Sequence, residues 1–425
     1  MKVALICNTA LPEIEERFGL PKAKPESWLV AHVAALKKAG CSTIVCFPIS
    51  ETQTRILEVF DGITAASYTY DKDVTRYNSA SEGEFCEIFE KTHPDVIHVF
   101  GTEFSHTLAA VNAAEKCGML ERLVIGIQGL ASMIGQYHYY AALPHWVRYA
   151  KTFRDLLRMD SLARQRELFV QRGRFEEEAI RKAKHIIGRT DWDKACVTRL
   201  NPDVNYHFCN ETLRPAFYQN AWQREQCQTH SLFVSQANYP LKGFHMVLEA
   251  LAILVKKYPN AHLYTTGQDP RDTKRFSQKL RQSIYPWYIA RRIRKLGLEE
   301  NVTYLGYLDE TNMCERFLKT HVFVSASSIE NSPNSLGEAM CLGVPSISSD
   351  VGGVKNLMDH GKDGFIYPFD EPYMIAYYAD RIFASDELAN RLSESAKEHA
   401  KITHNAQVNA QRMLEIYSVV AGQVL

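Results

Sequence analysis

The sequence predicts an α/β protein of two doubly wound, Rossmann-like domains, and three observations point there. Short apolar runs alternate with longer helical patterns, as in parallel sheets covered by helices on both faces. The same scheme starts again after a polar, proline-bearing stretch, Thr212–His230, which reads as the linker. A chain of 425 residues is also too long for one ordinary core. Hydrophobic content of 46% and charged content of 23% describe a globular protein, and 49 basic residues cancel 49 acidic ones. That balance gives no general attraction to nucleic acid, so none is expected as a partner.

In the first half, strands are read at Lys2–Cys7, Ser42–Phe47, Asp95–Phe100, Arg122–Ile127, Lys184–Arg189 and Asn205–Asn210, with a helix at Trp28–Ala39 stopped by Gly40. In the second half they are read at Ser231–Ser235, Ala261–Thr266, Asn301–Leu305, His321–Ser325 and Val344–Ser348. Beyond Gly243, the spacing of Phe244, Val247, Leu248 and Leu251 predicts a helix with one apolar face. The expected domains are residues 1–215 and 216–404, followed by a terminal helix within 405–425.

Ten scattered cysteines form no CxxC pair and no zinc spacing, so neither a disulfide frame nor a metal site is expected. The first apolar run, Val3–Cys7, is too short for a signal-peptide core and reads as a strand. No apolar stretch reaches the ~18 residues of a membrane span. The expected location is cytoplasmic.

The segment "SSIENSPNSLGEAMCLGVPSIS", Ser327–Ser348, places Glu330 and Glu338 on either side of a helix start. A helix over Leu336–Leu342, stopped by Gly343, makes Ser332, Pro333, Asn334 and Ser335 its N-terminal approach, where Ser and Asn suit capping. Free amides there and the helix dipole form an anion site. Carboxylates accept paired hydrogen bonds from vicinal hydroxyls. An anion pocket between two hydroxyl acceptors fits a nucleoside-diphosphate-sugar. A solvated loop glutamate and a dipole-favoured helix glutamate account for the same residues without a ligand. Lys242 and Gly243, just before a helix, suit a phosphate contact.

Taken in order, "LKG", the "TTG" at Thr265–Gly267, "VTYLGYL" at Val302–Leu308, the two glutamates and Gly352, Gly353, Gly361 and Gly364 resemble the donor half of the retaining family 4 glycosyltransferases with the GT-B fold. The resemblance implies two Rossmann-like domains facing each other across a cleft, with the terminal helix packing back on the first. It further implies that Glu338 binds the ribose hydroxyls and that Glu330 faces the donor sugar. Pro333–Leu336 would offer backbone amides to sugar and diphosphate, Lys242 would neutralise the leaving phosphate, and Tyr307 would meet the base. Glu330 and Lys242 are the expected catalytic residues. Gln236, Gly243, Tyr307, Ser332, Pro333, Asn334, Ser335, Leu336, Glu338 and Arg189 are the expected donor-binding set.

The sequence departs from the family in two places. Gln236 stands where many relatives have arginine, so Arg189 is a candidate replacement cation; its alternative is a surface ion pair with Asp191 or Asp193. Gln128 replaces a histidine in "IQGL", which argues against a general base there. Thr102, Glu103, Gln128 and Gly129 are the acceptor-side candidates, after first-half strands. The loop Asn8–Trp28, where relatives have a Gly-rich turn, holds only Gly19. Asp71/Asp73 and Asp191/Asp193 read as a turn and a helix cap, so no metal is required and the nucleotide-sugar is the only co-substrate expected.

The resulting expectation is a retaining glycosyltransferase, taking sugar from a UDP- or GDP-linked donor to a glycan or lipid-linked acceptor in surface polysaccharide assembly. A catalytically weak partner protein and a sugar-nucleotide epimerase are the alternatives. A hydride-transfer enzyme is disfavoured because no GxGxxG follows a strand. Two basic stretches with aromatics, Arg148–Lys184 and Ile284–Lys295, are each expected either to lie on an anionic membrane or to be solvated helical faces. Oligomeric state is not legible.

Overall fold

The computed structural model describes all residues except 22–26, 72, 273–280 and 424–425. The chain forms two compact units. The first comprises Met1–Met133, Leu168–Thr212 and Ala406–Leu425; the second comprises Ile134–Glu167 and Leu213–Asn405.

The first unit holds an eight-stranded sheet of β1 (Lys2–Ile6), β2 (Ser42–Ile49), β3 (Leu57–Phe60), β4 (Ile63–Thr69), β5 (Val96–Phe100), β6 (Leu123–Gly126), β7 (His185–Gly188) and β8 (Asn205–Phe208). Their order is β3-β4-β2-β1-β5-β6-β7-β8. Successive side chains alternate faces, so Ala4 and Ile6 enter one core while Val3 and Leu5 enter the other. Both faces of β1 are therefore buried, which is why the strand reads as one apolar run. Only β3 is antiparallel to its neighbour. The β3–β4 hairpin turns at Asp61 and Gly62, both with positive φ (48° and 75°), as a tight hairpin turn requires. The sequence reading missed this hairpin. The terminal helix Ala406–Val420 adds Ile416, Tyr417 and Val420 to the core shared with Val3 and Leu5. A helix at Pro12–Phe18 occupies part of the long loop after β1, the rest of which includes residues outside the described set.

The second unit has six strands: β9 (Gln228–Val234), β10 (His262–Thr265), β11 (Val302–Tyr304), β12 (Thr320–Ser325), β13 (Ser346–Ser349) and β14 (Phe365–Tyr367). Their order is β11-β10-β9-β12-β13-β14, with every pairing parallel. The order turns at β9 and β12, and loops beyond the carboxyl ends of these strands carry the residues discussed below.

Two boundaries differ from those expected. Residues 134–167, expected in the first domain, pack within the second unit. They carry α1 (His145–Tyr149) and α2 (Phe153–Arg158). Helix α3 (Phe244–Leu254) holds the insertion through His245 Nε2, 2.8 Å from the Ala141 carbonyl. The Ser328 hydroxyl donates to the His138 carbonyl at 3.0 Å. At α4 (Ile284–Leu296), the Ile284 amide donates to the Asp155 carboxylate at 3.0 Å. Nor is Thr212–His230 a simple tether. Trp222 within it is buried, donating from Nε1 to the Thr320 carbonyl at 2.7 Å and from its amide to Leu342 at 2.8 Å. All ten cysteines are free thiols. Among the described residues, no helix is long and apolar enough to cross a membrane.

Candidate functional site

The site in the second unit is built from three loops. After β9 the chain passes through Ser235–Tyr239 into a single tight turn, Pro240–Lys242, and then Gly243 leads into α3. Gly243 has φ +64°, and a Cβ on it would lie 1.7 Å from the Ala326 carbonyl oxygen. The expectation was that this glycine lets a phosphate approach. Its observed role is to let the loop after β9 touch the loop after β12. The Ser328 amide closes the same junction by donating to the Leu241 carbonyl at 2.8 Å.

That junction brings together the two expected catalytic residues. Lys242 Nζ donates to Glu330 Oε1 at 2.6 Å, and the Ser327 hydroxyl donates to the same oxygen at 2.6 Å. Burial pushes the lysine down, but the neighbouring Glu330 more than offsets it and holds the ammonium above its ordinary range. The Glu330 backbone is fixed from the other side. Gly353 donates its amide to the Glu330 carbonyl at 3.0 Å, and a Cβ on Gly352 (φ +50°) would lie 1.9 Å from that oxygen. The glycine pair after β13 is thus a seat for the Glu330 loop.

Helix α5 spans Asn334–Leu342 and ends at Gly343 in the left-handed conformation. Its N-cap is Pro333, and no side chain caps it, contrary to the expected capping by Ser and Asn. The first intrahelical donors are the amides of Leu336 and Gly337, both to Pro333 O. The amides of Asn334 and Ser335 precede them, at the positive end of the helix dipole. Ser332 and Ser335 are half-buried, Asn334 is exposed, and Pro333 and Leu336 are buried.

Glu338, on the next turn, is buried and gripped by a residue the sequence reading overlooked. Arg214 donates from Nε to Oε1 at 2.6 Å and from Nη2 to Oε2 at 2.7 Å, and its guanidinium stacks 4.7 Å from the Phe217 ring centroid. Burial raises the Glu338 carboxyl, with Arg214 pulling against it. The one available signal was a lone arginine in an otherwise uncharged stretch, "TLRPAF" after Glu211. Gln236 is exposed, and its Oε1 accepts from the Tyr239 hydroxyl at 3.4 Å. Tyr307 is also exposed, following Gly306, which is bridged to Gly267.

The remaining candidates form a network in the first unit. Thr102, expected to reach a ligand, is fully buried, donating to Glu176 Oε2 at 2.7 Å and to the Gly129 carbonyl at 3.1 Å. Glu176 also accepts from the Ala131 amide and from the Ser132 amide and hydroxyl, yet burial pushes its carboxyl up to about 7. The Gly129 amide donates to Glu103 Oε1 at 3.1 Å, and burial raises the Glu103 carboxyl as well. Arg189 is buried rather than on the surface. Its guanidinium pairs with Glu211 Oε1 at 2.6 Å, not with Asp191 or Asp193, and Gln128 Nε2 donates to the same oxygen at 3.1 Å. These three residues line a cavity of 290 Å³ that also touches His32, His98 and Met413.

Asp71 accepts from the Asp73 amide in a turn. Asp191 opens a helix whose cap is Thr190, and Asp193 accepts from the Arg189 amide at 2.9 Å. Among the described residues, Asp359, Asp363 and His399 place potential metal donors within 4.8 Å. Asp363 is fully buried there, accepting from the Ser395 hydroxyl, the Asp359 amide and His399 Nδ1. These bonds give it a structural part, tying the loop before β14 to the helix Asp386–Thr403.

Residues 218–399 match the family model described as "Glycosyl transferases group 1". The mannosylfructose-phosphate synthase of Agrobacterium fabrum is 24% identical over 180 residues, 41% of this chain and 37% of that protein. The chain spans less than half the length of the curated relatives it matches. Over 99% of both chains, the structure resembles a sucrose-phosphate synthase from Thermosynechococcus elongatus, with TM-score 0.71 and 15% identity. It also resembles Anabaena HepE solved with UDP-glucose (TM-score 0.65, 15% identity, 99% and 100% coverage). At these identities the likeness shows the fold, two Rossmann-like domains of the GT-B type.

Proposed function

From a GT-B-fold chain related to the group 1 glycosyltransferases, we propose that this protein transfers a sugar from a nucleoside-diphosphate-sugar to a hydroxyl of a glycan or lipid-linked acceptor. The observation that carries the reading is the arrangement Lys242–Glu330, open α5 start and Arg214–Glu338, all within the second unit. It sets a cation against one carboxylate and, in the chain between the two carboxylates, two amides that no side chain caps, a pattern complementary to a diphosphate between ribose and sugar.

In this reading Glu338 receives the ribose hydroxyls, already oriented by Arg214. The α5 amides and Lys242 meet the diphosphate, and Lys242 carries the charge that develops as the sugar–phosphate bond breaks. Glu330 holds the Lys242 ammonium in position before the donor arrives and faces the sugar hydroxyls afterwards. Gln236 adds a neutral hydrogen-bonding group at the phosphate end, and Tyr307 lies against the base, UDP or GDP being the favoured nucleotides. Transfer with retention, the leaving phosphate taking the acceptor proton on the same face, is the favoured course. It assigns no general base to Gln128, in keeping with the amide there.

The test is incubation with UDP- and GDP-sugars, following nucleoside diphosphate release with and without candidate acceptors, beside a thermal-shift series with the free nucleotides. The reading expects a raised melting temperature and acceptor-dependent release. Release of an epimerised nucleotide-sugar, or a shift with no turnover towards any acceptor, would overturn it.

A further inference from the structure

Among the described residues, the second unit carries an exposed apolar surface. Phe153, Leu156, Leu157 and Met159 on and beside α2 are all exposed, Leu157 and Met159 by 74% and 79%. The one buried residue of α2 is Asp155, whose carboxylate accepts from the Thr152 and Ile284 amides and fixes α2 to the start of α4. The polar side of α2 thus faces inward and its apolar side outward, the inverse of an ordinary surface helix. On α1, Trp146 is half exposed and meets Trp287 and Tyr288 of α4 edge-on at 6.2 and 5.9 Å. Helices α1, α2 and the first turns of α4 therefore make one composite surface.

Charge says what fits it. The whole chain is neutral, but residues 134–167 carry six Lys and Arg against three Asp and Glu, and residues 281–297 carry five against none. Of the three acids, Asp155 is buried and Asp160 is paired with Arg154 at 2.8 Å. Lys151 and Arg158 stand exposed beside the apolar residues of α2, and exposed Arg291 lies 5.5 Å from the Trp287 ring centroid. A second copy of this surface would bring like charges face to face, which is unfavourable. Apolar residues flanked by cations, with tryptophans beside them, match the boundary between headgroups and acyl chains.

We propose that this composite surface seats the protein on an anionic lipid bilayer. Leu156, Leu157 and Met159 enter the headgroup–acyl boundary, and the flanking cations meet lipid phosphates. Insertion residue His138 also accepts from Ser328, on the loop that carries Glu330, so the seat is tied to the proposed donor site. The inference deepens the proposed transfer by favouring a lipid-linked acceptor, but membrane binding is measured without any donor.

The experiment is co-sedimentation of the full chain with vesicles of phosphatidylcholine alone or mixed with phosphatidylglycerol, together with tryptophan fluorescence. The proposal expects binding to the anionic vesicles at low salt, release at high salt, and a blue shift from Trp146 and Trp287. It expects Leu157→Glu to lower partitioning roughly tenfold or more, and Lys151→Glu with Arg158→Glu to lower it by a similar factor. All three positions are exposed, and an unchanged melting temperature checks the fold of each variant. The proposal is overturned if the wild-type chain stays in the supernatant or the variants partition as it does. Self-association abolished by Leu157→Glu, without vesicle binding, would assign the surface to a second copy and overturn it equally. A failed transferase assay leaves the vesicle result standing, so the two readings fail separately.

Discussion

Arg214 grips both oxygens of the Glu338 carboxylate, at 2.6 and 2.7 Å, across 124 residues of sequence. The pair joins the segment before β9 to the helix that presents the proposed donor site. A buried carboxylate left without its partner is costly, and Arg214 is itself partly exposed, so Arg214→Ala is expected to cost about 1–3 kcal/mol of stability. Urea denaturation measures it. Nucleoside diphosphate affinity should fall in parallel, and Arg214→Lys should restore only part of both, because an ammonium does not reproduce the two-pronged contact.

Lys242 and Glu330 are expected to act as one unit. Lys242→Met and Glu330→Gln should each lower kcat by roughly 10²-fold. The double variant should fall well short of the product of the two losses, since each single change already breaks the pair. Steady-state kinetics of the four proteins checks this. Independent, multiplying losses would show that the contact at 2.6 Å has no part in turnover.

Two glycines with positive φ separate crowding from backbone strain. Gly243→Ala adds a Cβ 1.7 Å from a carbonyl oxygen, whereas Gly361→Ala (φ +77°) meets nothing within 4 Å. The first should cost about 2 kcal/mol or more and the second about 1 kcal/mol. Equal losses in thermal or chemical melts would mean that the Gly243–Ala326 contact relaxes freely.

Tyr417 holds the terminal helix on the first unit through two imidazoles, its hydroxyl lying 2.9 Å from His32 Nε2 and 2.6 Å from His98 Nδ1. Tyr417→Phe keeps the ring and leaves His98 buried without that partner. The expected loss is about 1–2 kcal/mol, measured by denaturant titration. A melting curve like that of the wild type would show the hydroxyl to be dispensable.

His245, buried beneath the insertion, has its pKa lowered by burial to about 4. In the unfolded chain it titrates near 6.5. The unfolded state therefore binds more protons between these values, and the contribution present above pH ~6.5 is lost as pH falls towards 4. His245→Gln should flatten this part of the stability–pH curve. An unchanged slope would show that His245 titrates alike in the folded and unfolded states across that range.

The sequence by itself determined the features whose cause is local. Short apolar runs marked β1, β2, β5 and β12; the residues around Pro333 marked the start of α5, and Gly343 marked its end. These follow from side-chain period and φ preference within a few neighbours. The β3–β4 hairpin escaped because its only sharp signal is Asp61–Gly62 between strands of mixed polarity. Tertiary structure alone decided how charges pair and where the insertion belongs. Lys242 meets Glu330 across 88 positions and Arg214 meets Glu338 across 124. Arg189 passes over the nearby Asp191 for Glu211, and residues 134–167 leave the unit that flanks them in sequence. A charge or a buried amide is satisfied by whatever the folded chain brings within about 3 Å, and sequence spacing does not set that distance once strands cross over.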